Sequence, residues 1–146
     1  MRLYGSLVAE PCTVKSDNIE VDFGTIVDKY LYINTRTLGV PFTLELEDCD
    51  LSLGNTVKVT FSGTESTALS GLMTVGNPSK GIAIGIETLQ GKAVPFNQSS
   101  DAFTLQTPNS PLTFKAYVQG EPDAIAHQTI ARDAFSATST FTLAYP

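Results

Sequence analysis

The sequence predicts an all-β domain built as two sheets packed face to face, and three observations predict it. Apolar residues recur with a period of two in separate segments along the chain. Turn-forming residues punctuate the gaps between those segments, and no capped amphipathic helix of useful length interrupts them.

The alternation is clearest near the C-terminal end. Phe135, Ala137, Ser139, Phe141, Leu143 and Tyr145 fall on one face of an extended chain, and Ser136, Thr138, Thr140, Thr142 and Ala144 on the other. The same pattern recurs at Ile19-Val21-Phe23, Phe42-Leu44-Leu46, Val57-Val59-Phe61, Ile82-Ile84-Ile86 and Phe114-Ala116-Val118. Between these stretches stand Asp17-Asn18, Gly54-Asn55, Gly63, Gly76-Asn77-Pro78, Gly91, Pro108-Asn109-Ser110-Pro111 and Gly120-Glu121-Pro122. About eight short strands, each with one apolar face, suit a β-sandwich. The nearest helical candidate, Asp123 to Ala131, reads as a connecting turn.

A length of 146 residues fits one compact domain, 1–146, and is too short for two of ordinary size. Hydrophobic residues make up 42% of the chain and charged ones only 16%, a balance that argues against disorder. The net charge is −6, from fifteen acidic and nine basic residues. Lys15, Lys29, Arg36, Lys58, Lys80, Lys92, Lys115 and Arg132 never form a run, so nucleic acid is not an expected partner. No apolar run is long enough to span a membrane, and Met1 to Gly5 contain no signal-peptide core.

Cys12 and Cys49 both lie at the ends of strand-like segments. Two separate buried thiols are one reading and a single disulfide the better one. Closing that loop would stabilise the fold by roughly 4 kcal/mol on the chain-entropy model. Such a bond implies an oxidising compartment, and a disulfide protein without an export signal reads as a mature or trimmed form.

Residues capable of chemistry do not converge. A hydrolase needs a nucleophile, a base and an orienting group, and His127, the one histidine, sits in a predicted loop. Glu45, Glu47, Asp48 and Asp50 resemble a calcium ligand set only in composition. Glu45 and Glu47 alternate with Leu44 and Leu46, the pattern of the wet face of a strand. Asn97-Gln98-Ser99 matches a glycosylation sequon, a pattern short enough to arise by chance. The expectation is a protein with no catalytic residues, no metal and no cofactor.

Several stretches together resemble the chaperone–usher pilins, the subunits of type 1 and P pili. Gly5-Ser6-Leu7-Val8-Ala9-Glu10-Pro11-Cys12-Thr13-Val14 resembles the opening of that family, with glycine, alternating strand and first cysteine in order. Val40-Pro41-Phe42-Thr43-Leu44-Glu45-Leu46-Glu47-Asp48-Cys49 resembles the strand that carries the second cysteine. Gly81-Ile82-Ala83-Ile84 is similar to a strand found between them, and Phe135 to Tyr145 to the closing strand with its penultimate tyrosine. Two features depart from the pattern. Asp133 stands where the family usually has glycine, at a bend that aspartate tolerates. Only Met1 and Arg2 precede Leu3, where pilins carry an alternating donor extension, so the chain reads as one with its donor strand removed.

The resemblance implies an incomplete immunoglobulin-like β-sandwich with one disulfide, Cys12 to Cys49, and no seventh strand. It implies a groove flanked by a first strand (Leu3, Gly5, Leu7) and the last (Phe135, Ala137, Phe141, Leu143, Tyr145). With about five core side chains uncovered at 1.5–3 kcal/mol each, the deficit is on the order of 10 kcal/mol, comparable to the whole stability of a small domain. The implied partners are neighbouring pilin subunits, a periplasmic chaperone and an outer-membrane usher. The implied role is a structural subunit of a fimbria on the bacterial surface, reached through the periplasm and supporting cell adhesion. The runner-up is a tip adhesin binding host carbohydrate, for which the absence of tryptophan is unfavourable.

Overall fold

Wherever an alternating segment finds a neighbour, it forms a strand. The computed structural model describes residues 1–5, 10–15, 19–76 and 79–145. Within them, β1 is Thr13–Val14, β2 Val40–Glu47, β3 Thr56–Ser62, β4 Met73–Thr74, β5 Ile82–Thr88, β6 Phe103–Thr104, β7 Ser110–Gly120 and β8 Thr140–Ala144. Two short helices, α1 (Asp28–Asn34) and α2 (Pro122–His127), cross between strands. The strands form a 5-stranded sheet, β1-β2-β7-β5-β4, and a 3-stranded sheet, β6-β3-β8. Every ladder is antiparallel, with Phe42 opposite Phe114, Ile84 opposite Val118 and Phe61 opposite Phe141.

The period-two faces meet in the middle. Leu44 and Leu46 of β2, Val57 and Val59 of β3, Ile84 and Ile86 of β5, and Phe114 and Val118 of β7 are all buried. Phe61 of one sheet meets Phe114 of the other edge-to-face, with ring centroids 5.3 Å apart. The all-β sandwich expected from the sequence is the fold observed.

Cys12 and Cys49 are bonded across a sequence separation of 37, with Cα atoms 4.1 Å apart and both residues buried. The bond ties the residue before β1 to the turn after β2. Two glycines are required by close approach. Gly81, at φ +89°, leaves 2.9 Å between a built Cβ and Ala124 of α2. A Cβ at Gly85 would collide with the Tyr117 ring.

Four elements differ from the sequence expectation. β8 is only Thr140–Ala144, because residues 135–139 have no strand beside them to pair with. Ile19-Val21-Phe23 belongs to no strand, for the same reason. The seven-residue α1 was not expected: only Leu31 is fully buried, so no apolar periodicity marks it. α2 occupies the region read as a connecting turn, with Pro122 opening it and Gln128 closing it at φ 54°. Asp133 keeps its bend, and both its carboxylate oxygens accept hydrogen bonds from Lys80 Nζ, at 2.9 and 3.0 Å.

The outer face of the larger sheet carries one buried charge. Glu87 accepts two hydrogen bonds from the Arg36 guanidinium, at 3.2 and 2.9 Å, and Lys115 lies 3.7 Å away. The same guanidinium stacks over Tyr117 at 3.6 Å from the ring centroid. The hydrogen bond to Arg36 holds the Glu87 carboxyl below its ordinary pKa, against the opposing effect of burial. A depressed folded-state pKa contributes stability that is present above the unfolded value, about 4.3, and is lost as pH falls through the folded one. Arg36 is partly exposed, so the pair is screened. We expect Glu87→Gln to cost about 1–2 kcal/mol at pH 7 and to flatten the acid limb below pH about 4.5. Urea unfolding across pH checks both; a variant with an unchanged acid limb contradicts the assignment.

Candidate functional site: an apolar cleft between unpaired segments

The two alternating segments that find no partner face each other. Ile19, Val21 and Phe23 form one wall of an open cleft, and Ala137, Ser139 and Phe141 form the other. Its floor is the sandwich core: Phe42 and Leu44 of β2, Phe61 of β3, Met73 of β4, Ile84 and Ile86 of β5, Ala116 of β7, and Phe96. The cavity holds about 160 Å³ and opens above Ile19 to Asp22 and Ser136 to Phe141 into a wider trough of about 830 Å³. Core side chains that a sandwich normally covers are reached here from outside.

The cleft is chemically plain. No ionisable side chain lines the inner cavity, and Glu20 and Asp22 stand only on the rim. The Ser139 hydroxyl donates to the Ser62 carbonyl at 2.7 Å, which ties the wall to the end of β3. Such an arrangement can hold an extended apolar segment but offers no base, acid or activated nucleophile. Beyond the cleft, burial raises the Tyr145 phenol above its ordinary pKa, and Glu10 adds to the effect.

The structure brings some predicted site residues together and separates others. Ala137 and Phe141 line the cleft. Leu143 and Tyr145 continue the same face of the chain past its end, packed partly buried against the core. Phe135 stands at the opposite end, its ring 6.2 Å from that of Phe23, and lines a second cavity of about 290 Å³ beside α1. Leu3 and Gly5 belong to no strand and are exposed, so they form no wall of this cleft. Leu7 lies outside the described residues. Among the described residues, the wall opposite Ala137, Ser139 and Phe141 is lined by Ile19, Val21 and Phe23. Their alternation was visible in the sequence, but nothing local says which sheet edge a strand will border.

The other candidates resolve into structural roles. Asn97, at φ 64°, clasps the backbone of Gly63: its Oδ1 accepts from Gly63 N at 3.2 Å and its Nδ2 donates to Gly63 O at 2.8 Å. Glu45 lies 3.7 Å from Lys15 on the wet face of β2. His127 is exposed at the end of α2, with Nδ1 2.9 Å from the Asp123 carbonyl oxygen.

The sequence model of the fimbrial protein family matches residues 1–146. The chain belongs to that family. It is 31% identical to the major MR/P fimbria protein of Proteus mirabilis, over 99% of this chain and 82% of the relative. It is 30% identical to the fimbrial adapter PapK of Escherichia coli, over 97% and 84% respectively. Among solved structures, the P pilus rod subunit PapA superposes with a TM-score of 0.81 at 26% identity, covering 94% of this chain and 100% of that one. A tip adhesin of Pseudomonas aeruginosa, CupB6, shares the fold at 15% identity with a TM-score of 0.64, over 95% of this chain and 40% of that one. This fimbrial protein is a structural pilin, a component of a surface pilus that packs with neighbouring subunits. The adhesin reading is not favoured.

Because His127 is exposed and its side chain hydrogen-bonds within its own helix, we expect His127→Ala to change stability by less than about 0.5 kcal/mol. Thermal or urea unfolding checks this; a loss of several times that size would reveal a long-range role for the side chain.

Proposed function

We propose that this pilin assembles by taking a β-strand from another polypeptide into the cleft between Ile19-Val21-Phe23 and Ala137-Ser139-Phe141. One observation carries the proposal. Both walls have strand-type alternation, neither has a ladder partner among the described residues where they face each other, and the floor between them is sandwich core bordering an open cavity. An apolar extended segment laid there satisfies all three deficits at once. Its backbone pairs with the free edge of β8, and its alternate side chains cover Phe42, Ile84 and Ile86.

The donor that closes the fold in a fimbria is the N-terminal extension of a neighbouring subunit. Exposed Leu3, with Gly5 beside it, fits the outgoing end of such an extension better than a wall of the chain's own groove. Before assembly, a periplasmic chaperone lends the strand and an outer-membrane usher oversees its replacement, which places the route through the periplasm. Residues 1–146 then act as a single pilin domain that extends the fimbria and so supports adhesion. The protein is not an enzyme; its work is mechanical linkage.

The test is thermal melting with and without a synthetic peptide of alternating apolar residues. Binding to the native state alone, at about 100-fold over Kd, stabilises by about 2.7 kcal/mol, a rise of roughly 5–10 °C for a domain of this size. Phe141→Asp should remove the gain by setting a charge against the groove, whereas Thr140→Lys, on the exposed face of β8, should keep it. A cooperative, stable monomer whose melting ignores the peptide would overturn the proposal.

A further inference from the structure

Away from the cleft and the first residues of the chain, exposed large apolar side chains gather in two places, with Leu89 standing apart after β5. Val27, Tyr30 and Ile33 recur at a spacing of three and share the solvent face of α1, and Leu38 stands in the loop beyond it. Leu51 and Leu53 stand in the loop after Cys49. These patches lie at opposite ends of the molecule. β2 starts at Val40, just beyond Leu38, ends at Glu47, just before Cys49, and its 8 residues separate the two by roughly 25 Å.

The polarity of the fold pairs them. All ladders among the described residues are antiparallel, and a donated strand that follows the same pattern runs against β8. Its C-terminal end then leaves beside Phe135, which lines one cavity together with Val27, the residue before α1, and Leu31 of α1. On the donor, the chain leads on into Pro11 and Cys12. The Leu51-Leu53 loop is fastened there: Asp50 N donates to the Pro11 carbonyl at 2.7 Å, and Gly54 packs against the Pro11 ring. Strand donation therefore carries the donor's Leu51 and Leu53 onto the acceptor's α1.

We propose that the α1 stripe of one copy and the Leu51-Leu53 loop of the next copy form a head-to-tail contact, resting on the strand-donation reading above. The two surfaces are different, so the contact is heterologous and does not close on itself, which is what a filament requires. It covers apolar surface that would otherwise stay wet and fixes the angle between successive subunits.

The experiment uses the chain complemented with the alternating apolar peptide, in wild-type form and as Ile33→Asp and Leu53→Lys variants. Self-association is followed by sedimentation and by amide chemical shifts at high protein concentration. Wild type should associate weakly, with shifts at both patches, and each variant alone should associate at least tenfold more weakly. An equimolar mixture of the two variants should recover the wild-type affinity, because the intact α1 of one meets the intact loop of the other. A wild-type protein that stays monomeric, an inert mixture, or a Leu53→Lys variant that self-associates as wild type does would overturn the contact. The melting temperature of the same samples separates the two readings. A peptide-induced rise without association sinks only the contact, whereas no rise in wild type sinks strand donation itself. Since both substituted side chains are exposed, Ile33→Ser and Leu53→Ser serve as a second pair should either charged variant melt early.

Discussion

The free edge of β8 sets the character of this protein. A strand pairs on both sides inside a sheet, yet among the described residues β8 pairs only with β3, and its apolar face borders a floor of core side chains. Water reaches that floor through the cleft, and unmade backbone hydrogen bonds along its walls add to the cost. A closed sandwich would be more stable alone and useless as a link. The same deficit that weakens the isolated chain supplies the driving force for joining it to another.

The rest of the structure keeps the defect local. β2, β5 and β7 form the continuous, fully paired centre of the larger sheet, with inner faces of Leu44, Ile84, Phe114 and Val118. The Cys12–Cys49 bond fastens the end of the chain nearest β1 to the turn after β2, so that end cannot fray into the cleft. On the other side of the sheet, Arg36 and Glu87 satisfy each other beneath the loop that leads from α1 to β2. A fully paired sheet centre and a disulfide thus flank the open cleft in which the proposal sets a strand of period two.

Much of this was legible in the sequence because period-two alternation survives any tertiary context. β2, β3, β5 and β7 fall where Phe42-Leu44-Leu46, Val57-Val59-Phe61, Ile82-Ile84-Ile86 and Phe114-Ala116-Val118 predicted them. Alternation states which face is apolar, not whether a neighbour exists, and so it overran at Phe135 to Ser139 and at Ile19 to Phe23. Those two overruns are the cleft. Leu3 and Gly5 are harder to place from sequence, because an alternating apolar stretch reads the same whether it lines its own groove or fills another chain's. α1 escaped notice because a helix whose one buried residue is Leu31 leaves no periodic trace, and exposed Val27, Tyr30 and Ile33 break the usual polar outer face.

Amide hydrogen exchange measured residue by residue, with and without an alternating apolar peptide, tests the central claim most directly. If a strand is missing between the two walls, amides in residues 19–23 and 135–139, and those of β8 that point away from β3, exchange fast in the free chain and gain protection together when the peptide binds, while β5 and β7 stay protected throughout. Walls already protected in the free chain, or a peptide that shields one wall and not the other, would contradict a seam made for a shared strand.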